Sequence, residues 1–303
     1  MKILITGASG FIGTHLSRYL LSRDHEVTGL GRSAAKNRIA HERYRFIAAD
    51  TTRPGPWQQD LGGVDAVINL AGRSIFGRWS EAVKAEIRES RLRTTRLAVQ
   101  GLASGRAVTF ISASGVGFYG SRGEDELTED EPPGDDFLAR LSVDWEREAL
   151  AAAEKGARVV LMRQGVVLGG DGGAMSQMVP AFKFFVGGPL GDGRQWFPWI
   201  HLDDLVAAVH FLLERPAVSG PVNLCAPSPV RNRDLAAALG RALNRPAFMP
   251  APAFVMRLVL GEFAQVLLGS QRAVPQKLRQ HRFSFLHADI QTAVQAVVHP
   301  AAV

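Results

Sequence analysis

Three glycines within the first thirteen residues constrain the fold of this chain more than any other feature. The run "ILITGASGFIGTHLSRYLL" (residues 3–21) sets Gly7, Gly10 and Gly13 between an apolar, strand-like segment and an amphipathic helical one. Gly7 allows a tight turn, Gly10 lets the backbone approach a pyrophosphate, and Gly13 lets the helix pack closely on the strand. The helix then offers unpaired N–H groups and the positive end of its dipole to phosphates. Ser9, Phe11 and Ile12 fill the turn and the first helical positions. The pattern predicts a strand–turn–helix unit at the head of a dinucleotide-binding sheet.

The next 140 or so residues, on the scale of a whole domain, keep the same rhythm. Strand-like runs at 2–6, 26–30, 45–49, 64–70, 107–112 and 157–162 alternate with helical stretches, notably 11–23, 79–104 and 136–155. Such alternation predicts an α/β fold with a doubly wound parallel (Rossmann) sheet covered on both faces. After residue 165 Gly and Pro become dense, in "GVVLGGDGG" (165–173) and "GGPLGDG" (187–193). "WIHLDDLVAAVHFLLERP" (199–216), a strand-like "PVNLC" (221–225) and helices near 231–243, 252–268 and 288–298 follow. We expect a dinucleotide-binding domain over 1–165, to which 195–225 returns. A smaller, interleaved C-terminal substrate lobe takes 166–194 and 226–303.

Composition narrows the function classes. The 303 residues are 46% hydrophobic, enough for a sizeable core. One cysteine, Cys225, excludes an intramolecular disulfide framework and suits a reducing compartment. The chain starts directly on Ile3–Leu4–Ile5, which leaves no room for a signal peptide. The longest apolar stretch, 253–269, is interrupted by Arg257 and Glu262 and is too short to span a bilayer. The expectation is a cytoplasmic protein without a membrane partner. The net charge of +6 comes from arginines scattered over the chain, with no helix-turn-helix, zinc or RNA-binding signature. We therefore expect no nucleic-acid partner; a small anionic ligand accounts for the arginines equally well. No His/Cys/carboxylate cluster has ligand spacing, so no metal is expected.

The second strand decides the cofactor. An NAD-preferring site places a carboxylate near the end of this strand to bind the ribose 2′-hydroxyl. In "EVTGLGRS" (26–33) that end reads Gly31, Arg32, Ser33, without a carboxylate. Arg32 offers a bidentate partner for a 2′-phosphate and Ser33 a hydroxyl, with Lys36 and Arg38 nearby. The expected cofactor is NADP(H). Asp50, after the third strand, is placed either to meet the adenine edge or to serve a turn. "VINLAG" (67–72) is expected to pass Asn69, Ala71 and Gly72 beside the cofactor.

At this point the chain resembles the extended short-chain dehydrogenase/reductase superfamily, and within it the atypical, sugar-nucleotide-epimerase-like branch with its distinctive C-terminal segment. The resemblance covers nearly the whole chain. It is carried by "TGASGFIG" (6–13), "NLAGR" (69–73), "SASGVGFYG" (112–120), "FLARLSVDWE" (137–146), "RQGVVLG" (163–169), "GGPLGDGRQWFPWIHLDDL" (187–205), "GPVNLCAP" (220–227), "QRAVPQKL" (271–278) and "FSF" (283–285). It implies a homodimer through long helices such as 79–104 and 136–155. It also implies a serine on the 112–120 strand that holds the substrate oxygen. Ser114 matches that serine if one residue is inserted before Tyr119. Ser112 lies on the same side of the strand.

One departure matters for mechanism. The family's base is a tyrosine assisted by a lysine four residues later. Here Tyr19, Tyr44 and Tyr119 are followed at that distance by Arg23, Ala48 and Gly123. Anchored on Glu146, the tyrosine position falls on Leu138 and the lysine position on Ser142. Bringing an unassisted phenol from a pKa of about 10 to neutrality costs about 4 kcal/mol. Three replacements are open: Tyr119 as a protonated donor, a carboxylate among Glu124, Glu129, Asp135, Asp136 and Asp144, or no base at all. The acidic run 124–136 reads as a solvated loop, and Trp145 as core. In the second lobe Arg194 reads as an anion contact or a salt-bridge partner, Asp203 or Asp204 as a helix cap, and His201 as structural. The expected function is an NADP(H)-dependent oxidoreductase or epimerase-like enzyme for a small molecule. Ser114 and Tyr119 would be catalytic, with Ser112 and Arg194 toward substrate. The alternative is a catalytically silent redox-sensing regulator.

Overall fold

Seven strands build the central sheet of the computed structural model, which describes residues 1–300. They are β1 (Lys2–Thr6), β2 (Glu26–Gly31), β3 (Tyr44–Ala48), β4 (Ala66–Asn69), β5 (Thr109–Gly115), β6 (Arg158–Gln164) and β7 (Gly220–Leu224). Their spatial order is β7–β6–β5–β4–β1–β2–β3, and every neighbouring pair is parallel. The order reverses between β1 and β4. In such sheets the ligand crevice lies outside the carboxyl ends of the strands at that point.

The first three helices are α1 (Phe11–Leu21), α2 (Glu81–Gly101) and α3 (Phe137–Leu150). They are followed by α4 (Met175–Lys183), α5 (Leu202–Glu214) and α6 (Asn232–Leu243). The last four are α7 (Ala253–Leu260), α8 (Phe263–Leu268), α9 (Gln276–Gln280) and α10 (Ile290–Val298). Strand alternation divides the core. Ile3, Ile5, Val27, Ile68 and Ile111 pack with Leu16 and Leu20 of α1 and with Leu205, Val209 and Leu212 of α5. The alternate residues Leu4, Leu30, Val67 and Phe110 pack with Ala98 and Val99 of α2 and Ala149 of α3. A third core joins Met175, Phe182, Leu235, Leu239, Val294 and Val297 from α4, α6 and α10.

Two boundaries differ from the sequence expectation. β5 runs to Gly115 rather than stopping at 112, because Ala113 and Ser114 stay in register with Met162 and Arg163 of β6. The single helix expected over 252–268 is two helices, α7 and α8. They are broken at Gly261, whose φ of +61° is a left-handed conformation that interrupts the helix. After α5 the chain re-enters the main sheet, where β7 pairs with β6. No helix among the described residues is long and apolar enough to cross a membrane. The outward faces of α2 and α3, expected to carry a dimer contact, bear ion pairs: Arg88–Asp144, Arg96–Glu148 and Arg93–Glu89. Large apolar side chains are exposed at Leu150 at the end of α3, on α7 (Phe254, Leu258, Val259) and at Phe184 and Phe248.

Candidate functional site: a dinucleotide cleft beside a buried polar network

The glycine-rich turn has the shape its sequence predicts. Gly7 sits at φ +73°, and a Cβ there would approach the backbone nitrogen of Ala71 to 3.0 Å. A Cβ on Gly13 would come within 2.7 Å of the Cα of Ala8. Both positions are thus closed to a side chain, and the turn is held against the ends of β1 and β4. Thr6 fixes this junction: its hydroxyl donates to Asn69 Oδ1 (2.7 Å) and accepts from the backbone N–H groups of Leu70 and Ala71 (3.1 Å each). Gly10 is the N-cap of α1, and no side chain caps that helix. By contrast α2, α3, α5 and α10 are capped by Ser80, Asp136, His201 and Asp289. The first-turn N–H groups of α1 therefore remain available for an anion. Closely apposed backbone, an uncapped helix start and no acidic residue in the first turn fit a dinucleotide pyrophosphate.

The end of β2 continues this surface. A Cβ on Gly31 would meet Ser9 Oγ at 2.6 Å, so Ser9 and the end of β2 line one wall. Arg32 is exposed and Ser33 half-buried. Arg32 contributes to holding the Asp50 carboxyl below its usual range, after the larger effect of the Thr52 hydroxyl. Asp50 itself serves its turn: Oδ1 accepts from Thr52 N (3.1 Å) and Thr52 Oγ1 (2.7 Å), while Arg53, not Arg32, pairs with it at 3.5 Å. Ala71 is half-buried and Gly72 exposed at the cleft. Three neighbours depart from expectation. Asn69 is fully buried and donates to Thr95 Oγ1 (2.8 Å) and Ser112 Oγ (3.2 Å), so its side chain ties β4 to α2 and β5 rather than to a ligand. Ser112 is likewise fully buried and turned to Asn69, which removes it from a substrate pocket. The Phe11 ring packs on the glycine turn 169–173, within 2.6 Å of a Cβ built on Gly172, so only the Phe11 backbone can face a cofactor.

Ser114 and Tyr119 carry the largest correction. Ser114 is 3% exposed, and its hydroxyl donates to Glu146 Oε1 at 2.7 Å. Glu146 is held by Arg163 in a two-pronged ion pair, Nε–Oε1 and Nη2–Oε2 both at 2.9 Å. Arg163 Nη1 also donates to the Tyr119 hydroxyl and to the Glu129 carbonyl, each at 3.1 Å. Tyr119 is fully buried and donates to Asn223 Oδ1 at 2.7 Å. Burial, outweighing the nearby Arg163, pushes this phenol further above its ordinary value. Tyr119 is therefore a core residue and not a proton donor at a pocket. The hydroxyl proton of Ser114 is committed to Glu146, so it is not free to hold a substrate oxygen. Leu138 and Ser142, which stand where the family has tyrosine and lysine, supply no base. Leu138 packs against Gly117, where a Cβ would meet it at 3.2 Å.

The acidic run is only partly a solvated loop. Asp125, Glu126, Asp130 and Asp135 are exposed. Glu129 is buried, however, and Oε1 accepts from Asn223 N (3.0 Å) and Lys277 N (3.1 Å). Burial raises its pKa. Glu124 takes two bonds from Arg231 and one from Trp196 Nε1, which hold its carboxyl at about 2. Arg194 is exposed nearby, its carbonyl accepting from Arg231 Nη1 at 2.7 Å. Trp145 is core as expected, its Nε1 donating to Thr95 Oγ1.

The helix cap expected at Asp203 or Asp204 is revised. The cap is His201, whose Nδ1 accepts from Asp203 N at 3.1 Å. Asp204 instead accepts from the backbone N–H groups of Leu286 (2.7 Å) and His287 (2.9 Å), clamping the C-terminal segment to the helix. The fold also gathers a group with metal-ligand chemistry, His201, Asp203 and His287, which sequence spacing did not reveal. The imidazole centroids lie 3.7 Å apart with their planes tilted by 35°, and the N–H bond from Asp203 occupies His201 Nδ1. With His201 Nδ1 taken up as the helix cap and Asp204 holding the backbone of Leu286 and His287, the group reads as a packed latch.

Comparison with known proteins agrees with this architecture. Residues 3–225 match the model of the NAD dependent epimerase/dehydratase family, and residues 251–297 match a domain of unknown function. The chain is 40% identical over 294 residues to epimerase family protein Mb2239 of Mycobacterium bovis, covering 96% of each chain. It is 39% identical over 302 residues to the chloroplastic epimerase family protein SDR39U1 homolog of Arabidopsis thaliana, covering 98% of this chain and 87% of that one. The crystal structure of human epimerase family protein SDR39U1 with NADPH superposes with a TM-score of 0.85 at 34% identity, covering 98% and 99%.

Proposed function

Since the chain belongs to the NAD dependent epimerase/dehydratase family, we propose that it is an NADP(H)-dependent oxidoreductase or epimerase-like enzyme with an atypical active site. The end of β2 carries this reading: Arg32 is exposed there, and no carboxylate occupies the position that would bind a ribose 2′-hydroxyl. The NADPH in the human relative's structure is consistent with it. Arg32 and Ser33 would hold the 2′-phosphate, and the turn of Gly7, Gly10 and Gly13 with the start of α1 would hold the pyrophosphate. Backbone at Ala71 and Gly72 would border the nicotinamide half, and Arg194 would meet an anionic part of the substrate. NADP(H), when bound, supplies or accepts a hydride. The protein's own part is to bind, orient and exclude water, because neither Leu138 nor Ser142 can move a proton as a tyrosine–lysine pair does.

The Ser114–Glu146–Arg163–Tyr119 network favours a second reading, a cofactor-binding regulator without turnover. Titration with NADPH and NADH, followed by NADPH oxidation against a panel of carbonyl compounds and sugar nucleotides, separates the two. The proposal expects NADPH to bind at least about tenfold tighter than NADH and at least one compound to be turned over. Tight NADPH binding with no turnover across the panel favours the regulator. Equal affinity for NADPH and NADH overturns the cofactor assignment.

A further inference from the structure

Arg91, on the inner side of α2, has no counter-ion among the described residues. Its Nη1 donates to the carbonyls of Arg73 (2.9 Å) and Ile87 (3.0 Å). Its guanidinium carbon lies 5.2 Å from the centre of the Trp145 ring. No carboxylate among the described residues lies within ion-pair distance of it, although arginines elsewhere on the same helix, Arg88, Arg93 and Arg96, are each paired. Loss of solvent alone lowers this guanidinium to about 10. An arginine in such surroundings is costly to keep unless an anion completes it.

Its position says where that anion comes from. A Cβ on Gly72 would sit 3.2 Å from the Arg91 guanidinium carbon and 3.3 Å from Nη1. Gly72 is exposed, and it follows Ala71, whose backbone abuts Gly7 of the glycine-rich turn. A side chain at 72 would crowd the guanidinium, which a glycine leaves uncovered on this side. Nη1 is spent on the two carbonyls, which fix the fork, while Nε and Nη2 make no hydrogen bond within the described chain. We propose that Arg91 is an oxyanion-binding residue of this cleft, taking a phosphoryl or carboxylate group of a bound ligand at the carboxyl end of β4. Two sources share this chemistry: the cofactor's pyrophosphate and an acidic group of the substrate. The inference rests on the cleft assignment made above, but not on NADPH being preferred over NADH.

The test uses the full chain and two substitutions, Arg91→Gln, which removes the charge, and Arg91→Lys, which keeps it. Inorganic pyrophosphate is titrated by thermal shift, NADPH by fluorescence, and inorganic phosphate against the NADPH-saturated protein. The expected result is that Arg91→Gln weakens at least one of these by about tenfold or more and Arg91→Lys by less. Losses in pyrophosphate and NADPH binding assign the cofactor as the source. A loss confined to phosphate on the saturated protein assigns the substrate. If both variants lower thermal stability but leave all three affinities within about twofold, Arg91 only braces the loop at 71–73 and the proposal fails. A wild-type protein that does not bind NADPH defeats the cofactor reading alone, because the pyrophosphate titration still decides the role of Arg91.

Discussion

The two ends of the cleft treat polar groups in opposite ways. Around the β1–α1 turn and the end of β2 they are left open: α1 has no capping side chain, Arg32 is exposed, and Arg91 has no carboxylate partner among the described residues. Beside β5 they are consumed by the protein itself: Ser114, Glu146, Arg163, Tyr119 and Asn223 form one continuous buried chain of hydrogen bonds. An unpaired polar group at a concave surface costs free energy unless a ligand completes it, whereas a fully satisfied buried network stabilises one arrangement of the core. One side of the cleft thus leaves polar groups for a ligand, and the side beside β5 holds the fold.

The sharpest way to break this contrast is to open the closed side. Glu146→Gln leaves Arg163 buried without its counter-charge, and the loss of stability should be about 3–5 kcal/mol in chemical denaturation. Affinity of the remaining folded protein for NADPH should stay within about twofold. A stability loss under about 1 kcal/mol would show that the network is not structural.

A smaller effect concerns the latch at α5. Burial, with the facing His287 ring, holds His201 down to about 4. The folded state thus favours neutral imidazole, and the unfolded chain binds more protons between about pH 4 and 6.5. Stability from this group is complete above about pH 6.5 and is lost as pH falls toward 4, by no more than about 3 kcal/mol. His201→Asn keeps a capping acceptor but cannot titrate. Its stability profile should be flatter over that window. An unchanged profile would remove His201 from the latch.

Legibility in the sequence follows the same division. The glycine turn, the strand–helix rhythm and the missing carboxylate after β2 are local features, readable from spacing alone. The closed side is assembled across distance: Ser114, Glu146 and Arg163 come from β5, α3 and β6. A local clue existed. Arg163 stands inside the apolar strand "VVLMRQ", and a charge within a buried strand requires a buried partner. Glu146 lies on the same helical face as the buried Ala139, Ser142 and Ala149, which marks it as that partner. The resemblance to enzymes that hold the substrate oxygen with a serine on this strand pointed instead to catalysis. The contact of His201 with His287, and the burial of Glu129 inside an acidic run, left no local signal, because tertiary packing alone creates them.

The account is tested most directly by one NADPH titration carried out on Arg32→Ala and Tyr119→Phe side by side. Removing charge-assisted bonds to the 2′-phosphate should weaken NADPH by roughly ten- to a hundredfold in Arg32→Ala. Removing a core hydroxyl in Tyr119→Phe should leave the affinity within about twofold of the unaltered protein, whatever it does to stability. An affinity untouched by Arg32→Ala, or lowered as much by Tyr119→Phe, would contradict the division into an open, ligand-binding side and a closed, structural one.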